Sequence, residues 1–80
     1  MEQAIKNIID TINEIVQDTT TPKNVQTKLQ EITAILQKEE EKSIRIDKAL
    51  NVLDELAEDA NLQPYTRTQI WNIISALEST

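Results

Sequence analysis

The 80-residue sequence contains no cysteine, no histidine and no glycine. Without cysteine the chain can form neither a disulfide nor a thiolate metal site, which is typical of a reducing, cytoplasmic location. Without histidine it lacks the commonest general base and the commonest ligand of transition metals. Without glycine it cannot form the glycine-rich loops that bind phosphates and dinucleotides. We therefore predict that the chain is not an enzyme and requires no cofactor.

Positive charge and long apolar segments are also scarce. The net charge is −6 and the isoelectric point is about 4.5. Such a chain lacks the clustered cations that bind nucleic acid or an anionic membrane surface. The longest apolar run has three residues, at positions 34–36, which is too short for a signal peptide or a membrane span. We expect a cytoplasmic protein that binds neither nucleic acid directly nor a membrane.

What the sequence does contain is helical periodicity. From Ile5 to Val16 the apolar residues recur every three or four positions, which predicts an amphipathic helix. Three further segments show the same pattern, and polar turns that contain Pro22 or Pro64 interrupt it. The sequence therefore predicts one all-α domain, residues 1–80, with helices at about 2–18, 22–39, 43–59 and 64–78.

The residues that begin each helix can also be proposed. Thr21 is a suitable N-cap for the second helix, with Pro22 at its first position. Ser43 is the next suitable N-cap, at the start of the third helix. The fourth helix could begin at Pro64 or one turn later, where Thr66 and the glutamine three residues on form a capping box.

An internal repeat organises the four helices. A shift of about 41 residues places the apolar positions of the first two helices on those of the last two, as with Ile12 on Leu53 and Ile32 on Ile73. The chain therefore consists of two helical hairpins in tandem. Two arrangements fit this pattern, a closed up-and-down four-helix bundle and two stacked hairpins of a solenoid. We favour the single bundle, because a solenoid usually requires at least three repeats.

Several short segments resemble one known family along nearly the whole chain. They are residues 65–78 (YTRTQIWNIISALE), 20–25 (TTPKNV), 43–45 (SIR) and 53–56 (LDEL), followed by an acid-plus-asparagine turn and Pro64. These segments are similar to the pattern of the archaeal UPF0147 family. The resemblance implies a small archaeal cytosolic four-helix bundle of uncharacterised function. It supplies no catalytic residues.

An acidic end of the bundle is the first candidate site. In an up-and-down bundle the C-terminal ends of the first and third helices lie at the same pole. This pole would collect six carboxylates and one amide oxygen, from Glu14, Asp18, Asp54, Glu55, Glu58, Asp59 and Asn61. Oxygen ligands of this kind suit a weakly bound Ca²⁺. The alternative is a solvated acidic surface, which the positive N-terminal ends of the second and fourth helices would stabilise.

The aromatic residues are the second candidate site. Tyr65 and Trp71 are the only two aromatic residues, and Arg67 precedes Trp71 by four positions, within reach of a cation–π contact. Tyrosine, tryptophan and arginine are enriched at the centres of protein interfaces. The alternative is that Trp71 covers the seam between helices and Arg67 lies over it.

Two functional hypotheses follow from these sites. The first is a protein-interaction or accessory module that binds an unknown protein through the aromatic residues of the last helix, or a basic protein through the acidic pole. The second is a bundle that binds Ca²⁺ at the acidic pole. We expect a monomer or a weak homodimer, the latter burying the apolar residues Ile35, Ile44 and Val52.

Overall fold

The computed structural model describes residues 2–80. This part of the chain contains four α-helices, joined by short loops, and no β-strand. They are α1 (Gln3–Gln17), α2 (Lys23–Gln37), α3 (Lys42–Ala57) and α4 (Pro64–Glu78). Each helix packs against the next, and α4 returns to pack against α1. The helices α1 and α3 are therefore diagonal to one another, as are α2 and α4. This arrangement confirms the predicted up-and-down four-helix bundle.

Contacts at both ends of the bundle establish the direction of the helices. Asn24, at the start of α2, donates a hydrogen bond of 3.5 Å to the carboxylate of Asp59, just after α3. At the other end Lys42, at the start of α3, forms an ion pair with Glu2 beside the start of α1. We call the end with the α1–α2 and α3–α4 loops the upper pole. The lower pole holds the α2–α3 loop and the end of α4.

The core follows from the periodicity of the sequence. Each helix contributes apolar residues at spacings of three and four, and burial of each large side chain stabilises the fold by about 1.5–3 kcal/mol. The buried residues are Ile5, Ile8, Ile9, Ile12, Ile15, Val25, Leu29, Ile32, Leu36, Ala49, Leu53, Leu56, Ala57, Leu62, Ile70, Ile73, Ile74 and Leu77. Within residues 2–80, no helix is both long and apolar enough to cross a membrane.

The predicted N-caps of α2 and α3 are wrong. The N-cap of α2 is Pro22, not Thr21, and its backbone carbonyl accepts the first helical bond. The Thr21 hydroxyl is buried and donates to the backbone carbonyl of Ile15 at 2.8 Å, so it closes the end of α1 instead. The N-cap of α3 is Glu41, and Ser43 lies inside the helix.

The start of α4 settles the choice left open by the sequence. The helix begins at Pro64, whose missing N–H costs nothing at the first helical position. Thr66 does not cap the helix. It lies in the first turn with its side chain buried. No N-cap side chain in residues 2–80 bonds to a helix N–H, so backbone geometry and packing alone fix the four starts.

Side chains replace glycine at the ends of two helices. No residue in the described range has a positive φ angle, so the usual left-handed glycine cap is absent there. Arg45 donates from Nη1 to the carbonyl of Leu36 at 2.8 Å, and Arg67 donates from Nη2 to the carbonyl of Asp59 at 2.7 Å. Each arginine is the fourth residue of its helix, and each bonds a carbonyl at or just beyond the end of the preceding helix.

The internal repeat extends to the hydrogen bonds of the loops. Asp18 accepts a bond from the N–H of Thr20 at 2.9 Å, and Asp59 accepts the same bond from Asn61 at 2.8 Å. In both loops the next backbone N–H then donates to the aspartate's own carbonyl. The bounds of α2 and α4 are related by the same offset of about 41 residues. The fold therefore confirms the prediction of two tandem hairpins.

Candidate functional site

The predicted acidic residues lie at the upper pole but do not converge. The helices that carry them, α1 and α3, are diagonal in the bundle, so the core separates their ends. Asp18 and Asp59 each accept hydrogen bonds within their own loops. The remaining five residues are exposed: Glu14, Asp54, Glu55, Glu58 and Asn61. Among residues 2–80 no three acidic side chains lie close enough to hold a metal ion, and the Ca²⁺ site stays a prediction.

Two of the predicted ligands line a small pocket at the upper pole. It has a volume of about 220 Å³ and lies between α2 and α3. Asn24 and Lys28 line it on one side, and Glu55 and Asp59 line it on the other. Lys28 forms its ion pair with Glu31 of its own helix, so the pocket brings one lysine near the two carboxylates without an ion pair between them.

The pKa values of two carboxylates, Asp18 and Glu40, are below the ordinary values of their residue types, and both residues lie in loops. The N–H and then the hydroxyl of Thr20 donate to Asp18, which lowers the pKa of this carboxyl. The ammonium groups of Lys48 and then Lys38 lower the pKa of Glu40 in the α2–α3 loop. These bonds hold the loops in place, and both carboxylates face solvent.

The three predicted partner-binding residues of α4 do not form one patch. Tyr65 is 68% exposed and Trp71 is 50% exposed, but six positions along a helix turn their side chains by about 120° from each other. Arg67 is partly buried, because its guanidinium bonds to the backbone of Asp59. Its Nε atom is buried without a partner among residues 2–80. Arg67 is therefore a structural residue, and Trp71 is left as the aromatic centre of one face.

The face of Trp71 adjoins a groove between α3 and α4. This groove, which we call the α3/α4 groove, has a volume of about 470 Å³. It is lined by Lys42, Ser43, Ile46, Asp47, Leu50, Leu77, Glu78 and Thr80. Its apolar part consists of the half-buried Ile46 and Leu50 above the buried Leu77.

Helical periodicity extends the α3/α4 groove beyond the cavity. Trp71 precedes Glu78 by seven positions and therefore lies on the same side of α4, about 10.5 Å nearer the upper pole. Asp54 follows Asp47 by seven positions and lies on the same side of α3. The sequence alone does not predict this groove, because Ile46 and Leu50 follow the same apolar periodicity as the buried residues of α3. The aspartates at heptad spacing beside Leu50 were the available signal.

The internal repeat provides an equivalent groove between α1 and α2. It has a similar volume of about 470 Å³ and is lined by Lys6, Ile9, Asp10, Asn13 and Gln37. Here Ile9 is buried, whereas its equivalent Leu50 is half-buried, so this groove presents less apolar surface than the α3/α4 groove. Asp47 corresponds to Lys6 and Trp71 to Gln30 under the 41-residue offset. The two grooves share a position in the fold but differ in charge and in apolar surface.

Comparisons with known proteins agree on one family. A family model described as an uncharacterised protein family, UPF0147, matches residues 1–80. The chain is 38% identical to the UPF0147 protein of Methanocaldococcus jannaschii, over 96% of this chain and 84% of that protein. It is 39% identical to the UPF0147 protein of Pyrococcus horikoshii, over 98% of this chain and 86% of that one.

Two crystal structures have the same fold. One, of a protein of unknown function, is 40% identical and superposes with a TM-score of 0.90 over 96% of this chain and 89% of its own. The other, of a UPF0147 protein from Thermoplasma acidophilum, is 36% identical, with a TM-score of 0.89 over 95% and 91% of the two chains. No activity, ligand or partner is described for either of these two structures.

Proposed function

The chain belongs to the UPF0147 family, and from that premise we propose that it is a non-enzymatic module that binds a protein partner through the α3/α4 groove. The family carries no described activity, so the proposal depends on the surface of this chain. The observation that carries it is the half-exposed Trp71, which lies on the same side of α4 as an open groove lined in part by Ile46 and Leu50. Buried anchors at protein interfaces are most often tryptophan, tyrosine or arginine.

The energetics favour a binding surface over a purely structural role for Trp71. A tryptophan side chain buries about 150–250 Å² when it is fully covered. Half of that area is exposed to water here, and Ile46 and Leu50 expose further apolar surface in the same groove. A partner that covers these three residues gains about 25 cal/mol for each Å² of apolar surface removed from water.

The chemistry of the chain supports a non-enzymatic role. It has no histidine or cysteine, and its dimensions of 33 × 21 × 18 Å leave room for open grooves rather than deep pockets. The two carboxylates with a lowered pKa are both engaged in loop bonds. An accessory or adaptor role requires neither histidine nor cysteine.

Site-specific photo-crosslinking tests this proposal. The photoreactive residue benzoylphenylalanine replaces Trp71 in one purified protein and Gln30, the equivalent position of the other hairpin, in a second. Both are irradiated in extract of an archaeon that carries the family. We expect a discrete adduct, identified by mass spectrometry, from position 71 and none from position 30. Equal adducts from both positions, or none from either, would contradict the proposal.

A further inference from the structure

Resting on the proposed function, we infer that the α3/α4 groove binds a basic amphipathic helix whose cationic side chains are seven residues apart and flank an apolar stripe. The shape of the groove is the first argument. Two packed antiparallel helices leave a straight groove between them, and an amphipathic helix is the element that lays an apolar face along such a groove. Ile46 and Leu50 line the groove. The exposed Trp71 lies on the same side of α4 as the lining residue Glu78 and continues the apolar surface toward the upper pole.

The charges along the groove are the second argument. Asp47 and Glu78 line the cavity on its two sides, and Asp54 lies one heptad from Asp47. These three carboxylates are exposed, and none forms an ion pair or a side-chain hydrogen bond with any of residues 2–80.

The cations near the groove are already engaged. Lys42 is paired with Glu2, and Arg67 donates to a backbone carbonyl at the upper pole. The groove therefore presents negative charge beside its apolar surface. A partner with lysine or arginine at the matching positions gains charge complementarity, whereas an anionic partner meets like charges.

The spacing of the carboxylates sets the spacing of the partner's cations. Seven residues of α-helix span about 10.5 Å, which separates Asp47 from Asp54 along α3. A partner helix that lies along the groove presents side chains at the same interval when they are seven residues apart. Its intervening apolar residues then cover Leu50 and Trp71.

A second copy of this chain is a poorer occupant. Each copy carries a net charge of −6, so two copies repel one another. No helix in residues 2–80 carries two cations seven positions apart. A partner of a different sequence therefore fits the groove better.

Peptide titration tests the inference with the full chain. The probe is an 18-residue helical peptide of leucine and lysine, with lysines at seven-residue spacing beside a leucine face. The control peptide has glutamate in place of every lysine. Trp71 is the only tryptophan, so its emission reports on the groove directly. We expect a saturable blue shift with the lysine peptide, weakened by salt, and no saturable shift with the glutamate peptide.

Two double variants separate specific from general attraction. The variant Asp47→Asn with Asp54→Asn should raise the Kd of the lysine peptide by about tenfold or more. The control, Asp10→Asn with Glu14→Gln, removes the same charge from the exposed face of α1 and should leave the Kd within about twofold. Equal effects of the two variants, or binding of both peptides, would overturn the inference.

The peptide experiment and the crosslinking experiment fail independently. If position 71 gives a specific adduct but the lysine peptide does not bind, the module binds a protein of different chemistry and only the basic-helix inference is wrong. If position 71 gives no specific adduct, the proposed function itself is wrong, whatever the peptide does.

Discussion

At the position where α4 carries Trp71, α2 carries Gln30, although the two helices follow the same core pattern. The α1–α2 and α3–α4 hairpins share the hydrogen bonds of their Asp18 and Asp59 turns and most of their buried positions. They differ on the surface: each groove is lined by one lysine, but the α1/α2 groove has one carboxylate and the α3/α4 groove has two, beside the half-buried Ile46 and Leu50. Core packing therefore constrains the repeated buried positions, whereas the solvent-facing positions can differ, so that one hairpin alone carries a binding surface.

The largest expected effect comes from truncating equivalent core residues of the two hairpins. It tests whether the hairpins contribute equally to the stability of the core. Ile12 and Leu53 are equivalent and fully buried. We expect Ile12→Ala and Leu53→Ala each to lower the free energy of unfolding by about 2–5 kcal/mol, through lost apolar burial and a residual cavity. For a chain of this size such a loss approaches the total stability of about 3–5 kcal/mol. Thermal unfolding followed by circular dichroism measures it.

The controls for this pair are exposed asparagines of the same helices. Asn13→Ala and Asn51→Ala should change the free energy of unfolding by about 0.5 kcal/mol or less. If one core substitution destabilises the protein far more than its equivalent, the hairpins are not energetic equals despite their matching packing.

The core and the topology were predictable from the sequence because they depend on periodicity. The spacing of Ile5 to Val16 and the 41-residue offset were enough for the helices, the tandem hairpins and the bundle. The N-caps were not predictable, because Thr21 meets the rule for capping α2 but its hydroxyl finds a buried carbonyl of α1 instead. Local rules do not include such a tertiary partner.

The candidate site was less predictable than the fold for the same reason. The sequence left Trp71 open between an interface residue and a cover over the seam between helices. Its half-exposure and the engagement of Arg67 depend on neighbouring elements. The predicted bundle placed the acidic residues of α1 and α3 at one pole, as the structure does. The same topology makes α1 and α3 diagonal, and the structure shows that this arrangement separates their acidic ends.

A second pair of variants tests how the two upper loops are held. Arg67 and Gln26 are the fourth residues of α4 and α2, and both donate to the loop before their helix, Gln26 to the Thr21 carbonyl at 3.1 Å. We expect Arg67→Met to cost about 1.5–3 kcal/mol and Gln26→Met about 0.5–1.5 kcal/mol, because hydrogen bonds from charged donors are stronger. Urea unfolding measures both.

An exposed cation provides the control for these loop variants. Lys48→Met removes a solvent-exposed ion pair with Glu40 and should cost less than about 1 kcal/mol. Equal losses for Arg67→Met and Gln26→Met would mean that the charge of Arg67 adds nothing, and that the two loops are held equally strongly.

Moving the tryptophan between hairpins tests the difference between the grooves. In the natural chain we expect acrylamide to quench Trp71 less than a free indole but more than a buried one, since half of its surface is exposed. The double variant Trp71→Gln with Gln30→Trp places the indole at the equivalent position of α2. We expect stronger quenching and red-shifted emission there, because little apolar surface flanks that position. Identical quenching in both proteins would show that the two grooves are alike.

The smallest expected effect concerns the turn that Asp18 forms. Hydrogen bonds from Thr20 lower the pKa of Asp18 in the folded protein, so the ionised carboxylate stabilises the fold above the unfolded pKa. This stabilisation is lost as the pH falls through the lowered folded pKa. We therefore expect Asp18→Asn to be slightly less stable than the natural chain at neutral pH, with a difference that disappears in strong acid. The control Glu14→Gln removes a charge one turn away that makes no hydrogen bond among residues 2–80. Melting curves of the three proteins between about pH 2 and pH 7 measure the effect. If Asp18→Asn differs from the natural chain by the same amount at the lowest pH, the turn does not depend on the ionised carboxylate.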